Sequence, residues 1–265
     1  MRGFILTPTY RVVHGVPEVH LYGVLESGEP CLIIDDRTRP HFFILERDVA
    51  QVTALAPGLA TERRGLVTLD GEPVVMVTVG VPGDVPPLRR KLEERGVVCL
   101  EADVRFAYRY LIDRGIRGAF EVDGDSATQP RLGRVYRNPE LRPAHWVPPL
   151  KVMSIDIETS MTGDQLYAIA LHMRDFERVI IVHHGTLEHA DSVPSEKAAI
   201  RRFLGYLETL DPDVITGWNV VDFDLAVLAR LARRHGLLDK VDWLGRAGHS
   251  GNCHGPWQNV RRPDS

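Results

Sequence analysis

Positive charge is in short supply. The 265 residues carry 32 Lys and Arg against 36 Asp and Glu, a formal net charge of -4. No bulk electrostatic attraction therefore draws the chain to nucleic acid, and such a partner would have to be held by a local groove or by metal ions. Lysine is scarce, at Lys91, Lys151, Lys197 and Lys240, so arginine supplies most of the positive charge. Cys31, Cys99 and Cys253 are too few and too scattered for a disulfide framework. No apolar run approaches the ~20 residues of a membrane-spanning helix, which excludes a membrane partner of that kind. Met1 to Tyr10 lacks the basic-then-apolar pattern of a signal peptide, and a cytoplasmic protein is expected. Repeats and low-complexity tracts are also missing. What is present is an apolar content of 44%, enough for the buried cores of one large domain or two ordinary ones.

Residues 1–80 read as short strands with turn punctuation. Glu26-Ser27-Gly28-Glu29 reads as a hairpin turn before Cys31–Ile34, and Asp70-Gly71 separates Leu66–Leu69 from Val74–Val79 in the same way. Pro86 to Gly96 reads as a helix, with proline at its start and glycine at its end. Phe106–Arg114 is a second. Five prolines between Pro130 and Pro149 read as an extended connector, which places a domain boundary near residue 148. Beyond it come strands at Leu150–Glu158, Gln165–Met173 and Arg178–His184. A helix is expected over Ser195–Leu210, with Ser195 as its N-cap and Ile200, Phe203, Leu204 and Leu207 on one stripe. A short strand over Asp213–Trp218 follows. The last element is a helix over Phe223–His235, with Leu225, Leu228, Ala229 and Ala232 on one face and Asp222 as its better cap candidate. Residues 247–265 read as an irregular tail.

The strongest chemical signal is Ser154-Ile155-Asp156-Ile157-Glu158-Thr159. In a strand Asp156 and Glu158 share one face, and Ile155, Ile157 and Thr159 the other. Two neighbouring anions in an apolar strand are costly to desolvate unless a cation neutralises them. A hard divalent ion such as Mg2+ takes carboxylate oxygens directly, so the pattern points to metal-dependent phosphoryl transfer. The bland reading is a partly exposed strand with two solvated acids. A second signal, Gly217-Trp218-Asn219-Val220-Val221-Asp222-Phe223-Asp224, lies between a strand end and a helix start, where open α/β sheets place their ligands. Asp224 there could face Asp156 and Glu158. His183, His184 and His189 read as a strand end and a loop, and His249, Cys253 and His254 as stray tail residues.

Ile155-Asp156-Ile157-Glu158-Thr159 resembles the first exonuclease motif of the family B DNA polymerases, and Asn219-Val220-Val221-Asp222-Phe223-Asp224 resembles the second. Asp211–Ile215, Glu101–Val104 and Phe106–Asp113 are similar to that family, and Gly3–Thr7 to its bacterial members. The resemblance runs from residue 3 to about Arg246. It implies a β-rich α+β N-terminal domain over 1–148 and a 3'→5' proofreading exonuclease domain of ribonuclease-H-like α/β fold over 149–246. It also implies two divalent ions, Mg2+ or Mn2+, held by Asp156, Glu158 and Asp224, which act as the catalytic carboxylates. Thr159, Asn219 and Phe223 are implied to seat the unpaired 3' terminus of single-stranded DNA at a primer-template. In Arg37, Arg39, His41, Phe42 and Phe43 the resemblance extends to the family's N-terminal Arg-Pro-x-Phe segment, whose apolar pair is read as strand core.

The family's third exonuclease motif, Tyr-x-x-x-Asp, is not found in the sequence, nor are the polymerase motifs. The expectation is a polymerase fragment with an incomplete exonuclease fold, its last strand and helix missing, impaired alone or completed in trans by the missing polymerase portion. The alternative is a non-catalytic single-stranded-DNA-binding or polymerase-subunit scaffold module.

Overall fold

The computed structural model describes residues 1–130 and 132–237. The tail expected over 247–265, with His249, Cys253 and His254, lies outside the described residues, as does the expected stretch from 238 to Arg246. The chain divides into two compact units, Met1–Pro148 and Pro149–Ser265.

The first unit is built on two sheets. Its elements are β1 (Arg2–Val13), β2 (Val16–Leu25), β3 (Pro30–Asp35), β4 (His41–Leu45), α1 (Val49–Leu55), β5 (Ala60–Val67), β6 (Pro73–Thr78), α2 (Val85–Glu93), β7 (Cys99–Leu100), α3 (Phe106–Asp113), β8 (Ala119–Asp123), β9 (Ser126–Gln129), β10 (Gly133–Arg137) and β11 (Glu140–Pro143). One sheet runs β11-β8-β1-β2-β3-β10-β9, the other β5-β6-β4-β7. Strands β1 and β2 are much longer than the short strands expected. They form one antiparallel ribbon closed by His14-Gly15, both with positive φ, the geometry of a two-residue hairpin turn.

The proline-rich stretch expected to be a connector is corrected by the structure. β10 pairs in parallel with β3, and β11 forms an edge strand on β8. Pro143 ends that edge strand, where a missing N–H costs no ladder bond, and Pro139 falls in the turn before it.

A buried carboxylate ties α3 to the end of β3. Asp35 is fully buried and accepts hydrogen bonds from Tyr110 Oη (2.9 Å), Arg37 Nη2 (2.7 Å) and the Arg37 backbone N–H (2.9 Å). The Arg114 guanidinium carbon stands 3.6 Å from the Tyr110 ring centroid. Burial pushes the Asp35 carboxyl up, but the donors of Arg37 and Tyr110 outweigh it and hold the group below its ordinary value. Phe42 and Phe43 are buried in β4, as strand core. Cys31 is buried and its thiol is pushed up to about 12 by desolvation, which leaves it unreactive.

The second unit is a five-stranded mixed sheet. It comprises β12 (Val152–Thr159), β13 (Leu166–Met173), β14 (Phe176–Val182), β15 (Ala190–Val193), α4 (Glu196–Leu210), β16 (Val214–Thr216), a π-helical turn (Val220–Leu225) and α5 (Ala226–Arg234). Strand order is β15-β14-β13-β12-β16. β12 to β14 form an antiparallel meander, while β15 and β16 join in parallel. The mixed α/β class is as expected, but β15 was not foreseen.

Both helices pack on one sheet face. Ile200, Phe203, Leu204 and Leu207 of α4 are buried against Met153, Ile155, Ile157, Ile169 and Leu171, the stripe that the helical spacing predicts. Each such side chain contributes about 1.5–3 kcal/mol. Ser195 caps α4 as expected, its Oγ accepting from the Ala198 N–H at 3.3 Å. In α5 the buried set is Val227, Leu228, Leu231 and Ala232, shifted from the expected stripe. The π-helical turn before it has more residues per turn than an α-helix, so the phase set from Leu225 does not carry through. No helix among the described residues is long and apolar enough to cross a membrane.

Candidate active site

Alternation places Asp156 and Glu158 on the sheet face opposite the helices. Met153, Ile155 and Ile157 are buried, while both acids are exposed. Across the strand pair, Asp156 faces Ala170 and Glu158 faces Ala168. These two methyl side chains leave the space above the acids open. A groove of about 390 Å³ starts beside Asp156 and runs along Ala170, His172, Glu177 and Val179. A register shift between Glu158 and Thr159 takes Thr159 out of strict alternation. It is half-buried, and its hydroxyl donates to the Ser160 carbonyl at 3.0 Å.

Asp224 reaches the same strand from its edge. β16 pairs with β12 only from Val152 to Ser154, so the later part of β12 has no strand on that side among the described residues. The Ile157 N–H would be left without a partner there. Asp224 supplies one: its Oδ1 accepts from Ile157 N at 3.1 Å. The approach is close. A Cβ on Gly217 would stand 2.4 Å from the Ile155 carbonyl oxygen, so no side chain fits where the chain leaves β16.

Asn219 then takes a left-handed conformation with φ 55° and begins the π-helical turn, without a side-chain cap hydrogen bond. The turn thus starts ahead of Asp222, the cap candidate read from the sequence. π-helical turns recur at functional sites because they re-aim side chains within a helix. Asn219 is exposed, the Phe223 ring is 40% exposed, and Asp224 is 1% exposed.

Asp224 is the anomalous group. Its second oxygen, Oδ2, is buried without a hydrogen-bond partner. Desolvation raises the carboxyl above its ordinary value, and the nearby charge of Asp156 raises it further, against the pull of the Asp224 and Ile157 backbone N–H groups. With the folded value above the unfolded one, this group favours the fold at low pH, and that contribution is lost as pH rises through the folded value. At neutral pH the charged form is a cost. Asp224→Asn keeps an acceptor for Ile157 and removes the charge. It is expected to stabilise the metal-free protein at pH 7 by about 1 kcal/mol, a few degrees in Tm by calorimetry. An unchanged or lower Tm would show that the carboxylate is satisfied.

The donor set tests well for a hard cation in one respect and poorly in another. Three carboxylates, one with an orphaned buried oxygen, are the chemistry that Mg2+ or Mn2+ takes. Yet among the described residues no three His, Cys, Asp or Glu side chains converge closely enough to hold one ion. Sequence reasoning missed how the site is braced. Arg230 Nη2 donates to the Gly163 carbonyl (2.7 Å) and Arg234 Nη2 to that of Asp164 (2.6 Å), which ties α5 to the loop after β12. Glu196 joins the brace, accepting from the Leu166 N–H (2.8 Å) and from Arg234 Nη2 (2.7 Å). Only the basic last turn of α5, Arg233 and Arg234, hinted at this in the sequence.

Comparison with known proteins places the chain in a family. Residues 97–255 fit the family model described as DNA polymerase family B, exonuclease domain. DNA polymerase II of Escherichia coli K12 is 36% identical over 156 residues, which is 56% of this chain and 19% of that protein. A DNA polymerase of Pyrococcus glycovorans is 29% identical over 254 residues, 88% of this chain and 29% of that protein. The chain thus spans less than a third of the length of these relatives. Among solved structures, the family B DNA polymerase of Pyrobaculum calidifontis superposes with a TM-score of 0.69 at 29% identity, over 92% of this chain and 34% of that one. With the five-stranded sheet flanked by α4 and α5, and the family model covering more than half of its residues, the chain belongs to the family B DNA polymerases and carries their ribonuclease-H-like exonuclease domain.

Proposed function

We propose that the second unit is a 3'→5' proofreading exonuclease of a DNA-directed DNA polymerase, over residues 149–246, and that 1–148 is the polymerase's N-terminal domain. The observation that carries this reading is the buried, unpartnered Oδ2 of Asp224, beside a strand whose exposed face bears Asp156 and Glu158. An uncompensated buried carboxylate oxygen makes sense where a cation is to bind.

Asp156 and Glu158 would hold Mg2+ or Mn2+ through carboxylates on the bare sheet face. Asp224 gives one oxygen to the strand and keeps the other for an ion. Divalent ions, when bound there, would supply Lewis-acid activation of a water and charge neutralisation at the scissile phosphate. The alanines opposite the acids leave room for the sugar-phosphate. Phe223 offers a half-exposed ring to the terminal base, and Thr159 and Asn219 flank it with polar groups.

A 5'-labelled single-stranded oligonucleotide, incubated with the chain and Mn2+ or Mg2+, is expected to shorten stepwise from its 3' end. Excess EDTA should stop the ladder, and added Mn2+ restore it. Shortening that ignores EDTA would sink the metal-dependent reading. A second reading, a non-catalytic single-stranded-DNA or polymerase-scaffold module, is favoured by the lack of convergence of the three acids on one ion. Metal-independent DNA binding with no shortening is its expected signature.

A further inference from the structure

Strict alternation along β13 would put Leu166 and Ile169 on opposite faces. Both are nevertheless buried in the core beneath α4 and α5. The chain achieves this with one extra residue. Thr159 pairs with Leu166 and Glu158 with Ala168, so Tyr167 has no partner on β12, and the pairing of β13 with β14 starts only at Ala168. This is a β-bulge, in which Tyr167 and Ala168 together stand opposite Glu158. Lying between two core-facing residues, both belong to the bare face that bears Asp156 and Glu158. The extra residue disrupts the ladder, and bulges recur beside active sites, where they re-aim a side chain. Here the side chain that is re-aimed is a phenol. Tyr167 is 46% exposed, and among the described residues its hydroxyl has no hydrogen-bond partner.

We propose that Tyr167 is a catalytic residue of this site, its hydroxyl donating a hydrogen bond to a non-bridging oxygen of the scissile phosphodiester beside Glu158. This rests on the exonuclease reading above. The charge balance of the face calls for such a donor. Asp156, Glu158 and Asp224 repel an incoming phosphate, and neither β12 nor β13 contains a Lys or Arg to offset them. The side chains of β12 and β13 on that face that can donate are Ser154, Tyr167 and His172. Ser154 and His172 pair with each other, four residues back from Glu158, a distance of ~13 Å along the strand. Tyr167 alone is level with Glu158. A neutral phenol stands beside carboxylates without ion pairing and still donates. In the hydrolysis the water oxygen bonds to phosphorus and gives up a proton. The bond from phosphorus to the 3' oxygen breaks, that oxygen takes up a proton, and a nucleoside 5'-monophosphate leaves. Tyr167 keeps its own proton throughout. A donor already in place at the charged oxygens stabilises the transition state without reorganisation.

The test is single-turnover shortening of a 5'-fluorescein oligo(dT) with Mn2+ at saturating protein, beside anisotropy of the same strand with Ca2+ in place of Mn2+. Tyr167→Phe keeps the ring and removes only the hydroxyl. It is expected to shorten the strand about ten-fold more slowly, less than the roughly 10²–10³-fold of a donor in a dry site, because the phenol is partly in water. Its affinity in Ca2+ should stay within about two-fold of wild type, with Tm unchanged, as for a contact made in the transition state. If Tyr167→Phe shortens the strand at the wild-type rate, the hydroxyl has no part in the reaction, while the exonuclease reading stands. A wild-type rate in Tyr167→Phe with a loss only in Tyr167→Leu would make the ring a packing surface and overturn the proposal in the same way. If wild type shows no metal-dependent shortening, both fall.

Discussion

Asp156→Ala is expected to reduce metal-dependent shortening of a single strand by about 10²–10³-fold, the usual cost of removing one group that stabilises transition-state charge. The same change should abolish the rise in Tm that Mn2+ gives the wild type. Asp156 is suited to this test because it is exposed on the bare face and packs against nothing in the core. Its removal leaves Met153, Ile155 and Ile157 in place, so a loss of activity cannot be ascribed to unfolding. It also lifts a like charge from Asp224, whose carboxyl should fall back toward its ordinary value. Activity that survives Asp156→Ala would have to come from elsewhere, and the exonuclease site would be misassigned.

The largest effect on stability is expected at the other end of the chain. Asp35→Ala strands the buried Tyr110 hydroxyl and takes from Arg37 its buried carboxylate partner, leaving it Glu140 and the Pro139 carbonyl. Breaking a buried pair from one side costs about 3–5 kcal/mol. The lower end applies here, since the Arg37 side chain is 43% exposed and can turn to water. A loss of about 3 kcal/mol lowers Tm by roughly 6–12 °C in a unit of this size. Tyr110→Phe, which removes only the hydroxyl, should cost about 1 kcal/mol.

The pH dependence follows from the sign of the Asp35 shift. Its folded value is depressed, so its contribution is present above the unfolded value near 3.9 and is lost as pH falls through the folded one. Acid titration of the wild type should show this loss, and Asp35→Ala should lack it. Equal acid profiles for the two proteins would remove Asp35 from the account of stability.

The carboxylate strand was legible because alternation alone decides which face Asp156 and Glu158 share. The stripe of α4 was legible because Ile200, Phe203, Leu204 and Leu207 keep one helical period. Other parts were hidden for definite reasons. Ala190-Asp191-Ser192-Val193 is four residues long with no apolar alternation, so β15 exists only because β14 offers an edge. β10 and β11 sit among prolines that signal coil, and turns and an edge position make those prolines tolerable. The π-helical turn has no period of its own to read. The hydrogen bond from Ile157 to Asp224 depends on how short β16 is, a tertiary fact that no local pattern carries.

That bond also joins residues 67 positions apart. The meander of β12, β13 and β14 closes through short loops and can form early, with both exposed acids already aligned on it. The segment bearing Asp224 lies beyond α4 and beyond β16, which pairs for only three residues, so its docking is expected to follow theirs. Asp224 is therefore expected to reach β12 late in folding, through an element with little ladder to hold it. In native-state hydrogen exchange the Ile157 amide should report the opening of α5, well before the amides of the meander give way.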